Sequence, residues 1–167
     1  MKLGLGSYSY RWSIGHKDRT PSSPITCIEL LGITSKLDLD VLQIADNMPV
    51  HNIETQTLDQ LYRTAQKQGI NLEIGMQSFS TESIKLYLDI AQRLDARILR
   101  IALDGNDVGT SDDIIAKEFK NILPIAEKIN CKIAIENHFA FPSDRMANII
   151  KLVDDCLLYT SDAADEE

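Results

Sequence analysis

The sequence predicts an α/β fold, a partial (β/α)₈ TIM barrel of about five βα units with parallel strands. Three features of the 167 residues lead to this prediction. Short β-branched or aliphatic runs alternate with longer amphipathic segments along the whole chain. The starts of these runs recur about every 26 to 40 residues, a spacing that suits βαβ units. The runs also carry polar residues on one parity, which distinguishes a barrel from an open sheet.

The predicted strands are runs of four to eight mainly aliphatic residues, the usual length of buried parallel strands. In chain order they are Lys2–Ser7, Val41–Asp46, Asn71–Gln77, Arg97–Leu103 and Cys131–Asn137.

The segments between the strands place apolar residues three and four apart, as amphipathic helices do. The predicted helices are Thr57–Gln68, Thr81–Leu94 and Ser111–Ile129, and a first helix lies between Thr20 and Ser35. Thr81, Ser111 and Ser143 each precede a helical pattern and are predicted to cap it, whereas Gly69 is a predicted C′ glycine.

Four polar residues favour a barrel over an open doubly wound sheet. Paired in register, the strands would place them on one face: Gln43, Glu73, Arg100 and Glu136. Open parallel sheets are usually apolar on both faces, whereas a barrel can enclose a polar ring. Five units in about 155 residues extrapolate to eight in about 250, the typical length of this fold.

Composition narrows the function classes. The formal charge is −8, and an acidic protein without a basic patch is a poor nucleic-acid binder. Cys27, Cys131 and Cys156 are widely spaced and form no CxxC pair, which favours a reduced environment. The first residues show no apolar run long enough for a signal peptide, and no segment approaches the roughly 20 apolar residues that would span a membrane, so we expect neither. We therefore expect a cytoplasmic protein that contacts neither membrane nor nucleic acid.

The last segment, Cys156–Glu167, breaks the pattern and offers neither a convincing strand nor an amphipathic helix. Its first eleven residues match one reading frame of a common transposon-based sequencing adapter. We expect residues 1–155 to be the N-terminal five-eighths of a barrel and 156–167 to be a non-native tail. The alternative is a disordered acidic C-terminus. An unfinished barrel would leave its first and fifth strands as open edges, which predicts poor solubility or oligomers.

The strongest local signal is the run from Ile133 to His138, where a buried strand ends in Glu, Asn and His. Strand ends on the carboxyl side form the active-site face of such barrels. Alternation points Glu136 and His138 to the barrel axis, with Asn137 offset. A carboxylate there can bind a divalent cation or take a proton from a carbon beside a carbonyl. The alternative is a structural ion pair of Glu136 with Arg100.

Three passages resemble the xylose-isomerase-like barrel superfamily, in particular its sugar phosphate isomerase/epimerase members. They are Lys2–Trp12, Leu42–Pro49 and Ala134–His138, and the likeness spans residues 1–155. The resemblance implies that Glu136 is a ligand of a divalent metal (Mn, Mg, Co or Zn) and one of two acid/base carboxylates. Family members complete the site with Asp, His and Glu from strands six to eight. Without those strands we expect this chain to be inactive, with little or no metal binding.

The other candidate site residues flank the predicted strand ends. His138 can hydrogen-bond substrate or orient a ligand, or else cap a loop, and Asn137 more often fixes loop backbone. Polar residues at the end of the second strand could contact sugar hydroxyls, and one of them, Asp46, could equally cap the next turn. Aromatic residues after the first strand could stack on a sugar ring or pack over the barrel mouth. These candidates are Gln43, Asp46, Asn47, Tyr8, Tyr10 and Trp12.

Arg100 and Glu73 are predicted to form an interior ion pair, with phosphate binding by Arg100 as the alternative. His16 and His51 are predicted to be loop residues. Gly4 and Gly6 lack the third glycine of a dinucleotide fingerprint, and no P-loop or GxSxG motif occurs. Members of the endonuclease IV branch of the superfamily would have histidine ligands at the positions of Gln77 and Asp104. Their absence makes a DNA-repair function less favoured.

We therefore expect a sugar or sugar-phosphate isomerase/epimerase that moves a proton through a metal-stabilised enediolate. The alternatives are a metal-dependent lyase or phosphoesterase on the same barrel, or a non-catalytic sugar-binding barrel. The expected partner is a small sugar or sugar phosphate, with a homo-oligomer as a further possibility.

Overall fold

The computed structural model describes residues 2–16, 19–77, 79–103, 107–136 and 141–161. In these residues six parallel strands form one sheet in chain order, and helices connect successive strands. The α/β prediction is therefore confirmed. The strands are β1 Gly4–Gly6, β2 Val41–Ile44, β3 Asn71–Gln77, β4 Ile98–Ala102, β5 Lys132–Glu136 and β6 Leu158–Ser161.

The described residues form the helices α1 Arg11–Ile14, α2 Cys27–Lys36, α3 Thr55–Gln68, α4 Thr81–Leu94, α5 Asp112–Lys128 and α6 Ser143–Val153. The helices from α2 to α6 pack against one face of the sheet and form the core with it, whereas α1 is a single turn without a buried residue. Three short 3₁₀ turns also occur, at Ser7–Tyr10, Val50–Asn52 and Asp107–Gly109. Within the described residues, no helix is both long enough and apolar enough to cross a membrane.

The strand register confirms that the polar residues share one face. Gln43 pairs with Glu73, Gly75 with Arg100, and Ala102 with Glu136. Residues of the opposite parity are aliphatic and fully buried against the helices, among them Leu42, Ile74, Leu99 and Ile133. The helix-facing side of the sheet is therefore the hydrophobic core, and the other side carries the polar groups.

The helix ends follow local capping chemistry. In α2 the Thr26 hydroxyl and the Glu29 carboxylate form a reciprocal capping box. Gly69 ends α3 in the left-handed region at φ 69°, as predicted. Ser111 occupies the predicted N-cap position of α5, but its hydroxyl accepts no capping hydrogen bond. The caps predicted at Thr81 and Ser143 are wrong by one residue, because Ser80 and Pro142 occupy the N-cap positions.

The prediction that the last segment holds no strand is wrong. Leu158–Ser161 forms β6, whose Leu158 pairs with Ile133 of β5. Leu158 is only 3% exposed, because it joins the apolar layer between sheet and helices. Four residues next to an existing strand suffice for pairing, although they are too few for a clear sequence pattern. The non-native origin of residues 156–167 stays a prediction.

Candidate functional site

The candidate site lies at the edge of the sheet where all strands end, here called the mouth. Because the strands are parallel, their carboxyl ends meet there. The Ser7–Tyr10 turn follows β1, and Asp46 and Asn47 follow β2. Arg100 lies on β4, and Glu136 is the last residue of β5. The fold thus collects polar side chains from four strands.

Arg100 joins two carboxylates at the mouth. Its Nη1 donates a hydrogen bond to Oε1 of Glu136, and its Nη2 lies 3.2 Å from Oδ1 of Asp46. The exposed fractions of the Arg100, Glu136 and Asp46 side chains are 12%, 10% and 19%. Ion pairs this poorly hydrated are strongly coupled, because little water screens them. The structural alternative for Glu136, a pair with Arg100, is therefore present in the molecule.

A glycine on β3 makes room for the guanidinium. A Cβ atom on Gly75 would lie 3.0 Å from Nε and 3.5 Å from Nη2 of Arg100. The guanidinium therefore packs directly over the backbone of β3 and can contact Asp46 beyond it. Nε itself is buried and has no hydrogen-bond partner among the described residues. Arg100 thus uses Nη1 and Nη2 for the two carboxylates, whereas its Nε–H donor is left without an acceptor among the described residues.

Tyr8 completes the bonding of Asp46. The Tyr8 hydroxyl donates to Oδ2 of Asp46 over 2.6 Å, while Oδ1 faces Arg100. Both oxygens of Asp46 therefore accept hydrogen bonds. Tyr8, Asp46, Arg100 and Glu136 form one continuous network, and three of these four were predicted as site residues from the sequence.

Ser7 is a structural residue of the mouth that the sequence analysis missed. It is fully buried, its hydroxyl donates to Oδ1 of Asn47 over 2.5 Å, and it accepts the backbone N–H of Ala45 over 2.9 Å. The serine thus attaches the first strand end to the second. Nδ2 of Asn47 is buried with no partner among the described residues, so that amide still has donor capacity at the mouth.

The predicted ion pair between Arg100 and Glu73 is wrong. Oε2 of Glu73 instead accepts a hydrogen bond of 3.2 Å from Nε2 of Gln43, its register partner on β2. Arg100 is paired in register with Gly75, two residues nearer the mouth than Glu73. Its side chain therefore reaches the carboxylates at the strand ends. Gln43, predicted to bind substrate, lies deeper in the sheet than the network.

The other two aromatic candidates after β1, Tyr10 and Trp12, are not part of the network. Tyr10 is half-buried and packs against the hydrophobic core. Trp12 is 56% exposed and stacks edge-on to His16 at 5.3 Å between ring centroids. The guanidinium groups of Arg11 and Arg19 lie 5.3 and 5.6 Å from the centre of the Trp12 ring. A role of Tyr10 or Trp12 in substrate binding stays a prediction.

The predicted roles of Asn137, His138 and Asp104 fall on residues outside those that the structure describes. Of the remaining histidines, His51 lies in the 3₁₀ turn before α3 and shares a 2.8 Å hydrogen bond with the Tyr87 hydroxyl through Nδ1. His16 contacts Trp12 in the loop after α1. Both histidines are therefore loop residues, as predicted.

Burial and nearby carboxylate charges raise the pKa values of two tyrosines, Tyr87 and Tyr159. Burial raises the pKa of Tyr87 to about 12, and the negative charge of Asp46 adds to the effect. Burial also raises the pKa of Tyr159, with a further contribution from the charge of Glu73. Burial is therefore the main cause of both shifts, and the carboxylate charge adds to it.

The described residues do not assemble a metal site. Among them no three His, Cys, Asp or Glu side chains lie close enough together to hold an ion. Glu136 contributes a carboxylate, but its Oε1 accepts a hydrogen bond from a guanidinium. The described part of the chain thus offers two carboxylates that share one guanidinium.

The fold places the chain among known barrels. No known protein-family profile matches it. D-Psicose 3-epimerase from Clostridium cellulolyticum H10, solved with D-tagatose, superposes on 97% of this chain and 63% of its own, with TM-score 0.72 and 17% identity. A xylose isomerase-like TIM barrel protein from Mycobacterium smegmatis, solved with magnesium, superposes on 96% of this chain and 63% of its own, with TM-score 0.64 and 13% identity.

One curated relative is also similar in sequence. The 3-oxo-isoapionate decarboxylase of Pectobacterium atrosepticum is 25% identical over 154 residues, which cover 92% of this chain. The chain spans about half the length of that relative and under two thirds of the solved structures. The chain therefore has the fold of part of a TIM barrel, which confirms the predicted fold class.

Proposed function

We propose that this chain is part of an isomerase or epimerase that acts on a small sugar or sugar phosphate. One observation supports this function most directly: Tyr8, Asp46 and Glu136 come from three different strand ends and are linked through Arg100 at the mouth. Such convergent hydroxyl, carboxylate and guanidinium groups suit a polyhydroxylated substrate. The superposition on an epimerase adds support at the level of fold.

In this proposal Glu136 is the base that removes a proton from the carbon beside the substrate carbonyl. Return of the proton to the neighbouring carbon, or to the other face, gives isomerisation or epimerisation. Asp46 and the unpaired amide donor of Asn47 would hold substrate hydroxyls. His138 and Asn137, which follow Glu136 in the sequence, are proposed to contact substrate as well. A cytoplasmic location agrees with these small-molecule substrates.

A divalent metal enters the proposal only for the longer protein. There, Mn²⁺, Mg²⁺, Co²⁺ or Zn²⁺ would stabilise the negative charge of the enediolate, with Glu136 as the ligand from this chain. The described residues alone do not fit a metal, because no three suitable side chains converge. Further ligands would have to come from outside them.

The test uses the protein extended by its own genomic reading frame to the length of its structural relatives. It is incubated with a ketose panel in D₂O with Mn²⁺ or Mg²⁺, and deuterium entry beside the carbonyl is measured by NMR. Glu136→Gln should lower exchange at least about a hundredfold, since general-base catalysis contributes that much. Glu127→Gln, which removes an exposed carboxylate of α5, should leave the rate unchanged. Equal rates in both variants would exclude Glu136 as the base.

A lyase is the second candidate, because the relative that matches 92% of this chain is a decarboxylase. In that case the carbanion would form by loss of CO₂ from a 3-oxo sugar acid, and a proton would then take the place of CO₂. Release of CO₂ from such an acid, without deuterium exchange into ketoses, would favour the lyase.

A further inference from the structure

We propose that, in the 167-residue chain, the Arg100 guanidinium is the built-in cation of the mouth, which holds Asp46 and Glu136 and competes with divalent metal ions for Glu136. The inference rests on the proposed function in one respect, that Glu136 is a functional side chain. In the longer protein, a metal ion bound to Glu136 would therefore have to compete with Arg100 for that carboxylate.

The first observation is the balance of charges at the mouth. Two carboxylates, 10% and 19% exposed, face one guanidinium that is 12% exposed. Because water screens these groups poorly, a pair of carboxylates without a cation would be strongly destabilised. A divalent ion at Oε1 of Glu136 would meet the positive charge of Nη1, which already donates to that oxygen. Arginine and metal therefore compete for the same acceptor.

The second observation is the space that the sheet leaves for the guanidinium. Gly75 leaves room for the guanidinium over β3, where a Cβ would approach Nε to 3.0 Å and the Ala45 Cα to 3.4 Å. This space lets a side chain of β4 reach Asp46 beyond β3 while it also contacts Glu136 on β5. A flexible surface pair would need no such space. The position of Arg100 is thus determined by the backbone of the sheet.

The test measures Mn²⁺ binding to the 167-residue chain from the electron paramagnetic resonance signal of free Mn²⁺. Arg100→Gln should bind Mn²⁺ at least about tenfold more tightly than the unchanged protein, because it removes a nearby positive charge. The double variant Arg100→Gln/Glu136→Gln should lose that gain.

The matched control is Arg97→Gln. Arg97 contacts Asp95 over 2.7 Å, but the two side chains are 53% and 45% exposed. This variant changes the net charge equally, so its affinity for Mn²⁺ should stay within about twofold of the unchanged protein.

Three results would overturn the inference: no gain in Arg100→Gln, an equal gain in Arg97→Gln, or a gain that persists without Glu136. Circular dichroism establishes whether Arg100→Gln folds. If it does not, Arg100→Lys decides, since its shorter ammonium cannot bridge both carboxylates in a fork. Arg100→Lys should then bind Mn²⁺ about threefold more tightly, and no gain would refute the proposal. These titrations need no turnover, so loss of the proposed activity would leave their outcome unaffected.

Discussion

The polar side chains at the mouth hold one another in position through hydrogen bonds. Ser7 has one hydroxyl, yet it satisfies the buried Ala45 N–H and holds Asn47. Asp46 places one oxygen against Arg100 and the other against Tyr8. Each polar group is positioned by a residue from a different strand end. The geometry of the site therefore depends on the register of the sheet and on each of these partners.

Tyr87 makes folding stability depend on alkaline pH. Burial, with a contribution from Asp46, raises its pKa to about 12, whereas an unfolded tyrosine ionises near pH 10. The native state therefore keeps a proton that the unfolded state loses. The stabilisation is complete below about pH 10 and is lost as pH rises towards about 12, with an upper limit of about 2–3 kcal/mol.

The measurement is urea unfolding at several pH values between 9 and 12. Tyr87→Phe should show a smaller alkaline decrease in the free energy of unfolding than the unchanged protein. A decrease should remain, because burial also raises the pKa of Cys131 to about 11. Tyr62→Phe, at a half-buried position of α3, is the control and should keep the full decrease. Identical slopes for Tyr87→Phe and the unchanged protein would contradict this prediction.

The sequence predicted which residues lie at the mouth better than it predicted their partners. Glu136, Asp46 and Tyr8 could be located because they follow aliphatic runs, and the ends of parallel strands coincide. The sequence offered Glu73 and Glu136 as partners of Arg100 and could not decide between them, because the choice depends on a register that aligns Arg100 with Gly75. The role of Gly75 itself has no local signal, since only the neighbouring guanidinium requires the missing Cβ.

At the scale of elements, clear periodicity gave accurate bounds. β3 and α4 begin and end where the sequence predicted, since one is a continuous strand-like run and the other keeps one apolar face. The first strand is shorter than predicted. It ends at Gly6 because Ser7 starts a 3₁₀ turn and directs its hydroxyl to Asn47 and Ala45. Such tertiary contacts override local propensity.

β6 was not predicted from the sequence, and a substitution of Leu158 tests whether this segment packs as a strand. Leu158→Ala should lower the free energy of unfolding by about 2–3 kcal/mol, because it opens a cavity next to Ile133. Leu3→Ala is the control, since Leu3 is 56% exposed, and it should change stability by less than about 0.5 kcal/mol. Both are measured by urea unfolding. Equal effects would mean that this segment does not pack as a strand in solution.

At the scale of the whole molecule, the six-stranded sheet has two edges. Within the described residues β1 pairs only with β2, and β6 only with β5. The structural relatives of this chain are barrels of which it spans under two thirds. The sequence predicted an open edge at the fifth strand, whereas the structure moves that edge to β6. Within the described residues neither edge pairs with a further strand, so each edge can pair with another chain.

The two edges predict self-association of the 167-residue chain. An exposed parallel edge offers hydrogen bonds that only another strand, or water, can satisfy, so pairing between chains should increase with concentration. Sedimentation velocity over a hundredfold range of concentration should show oligomers that grow with concentration. Thermal unfolding should extend over a broad range of temperature.

The protein extended to the length of its relatives is the control. Its additional strands would cover β1 and β6, so its sedimentation coefficient should not depend on edge pairing. A 167-residue chain that stays monomeric throughout and melts in one sharp transition would refute the prediction, because the edges would then be protected within the chain itself.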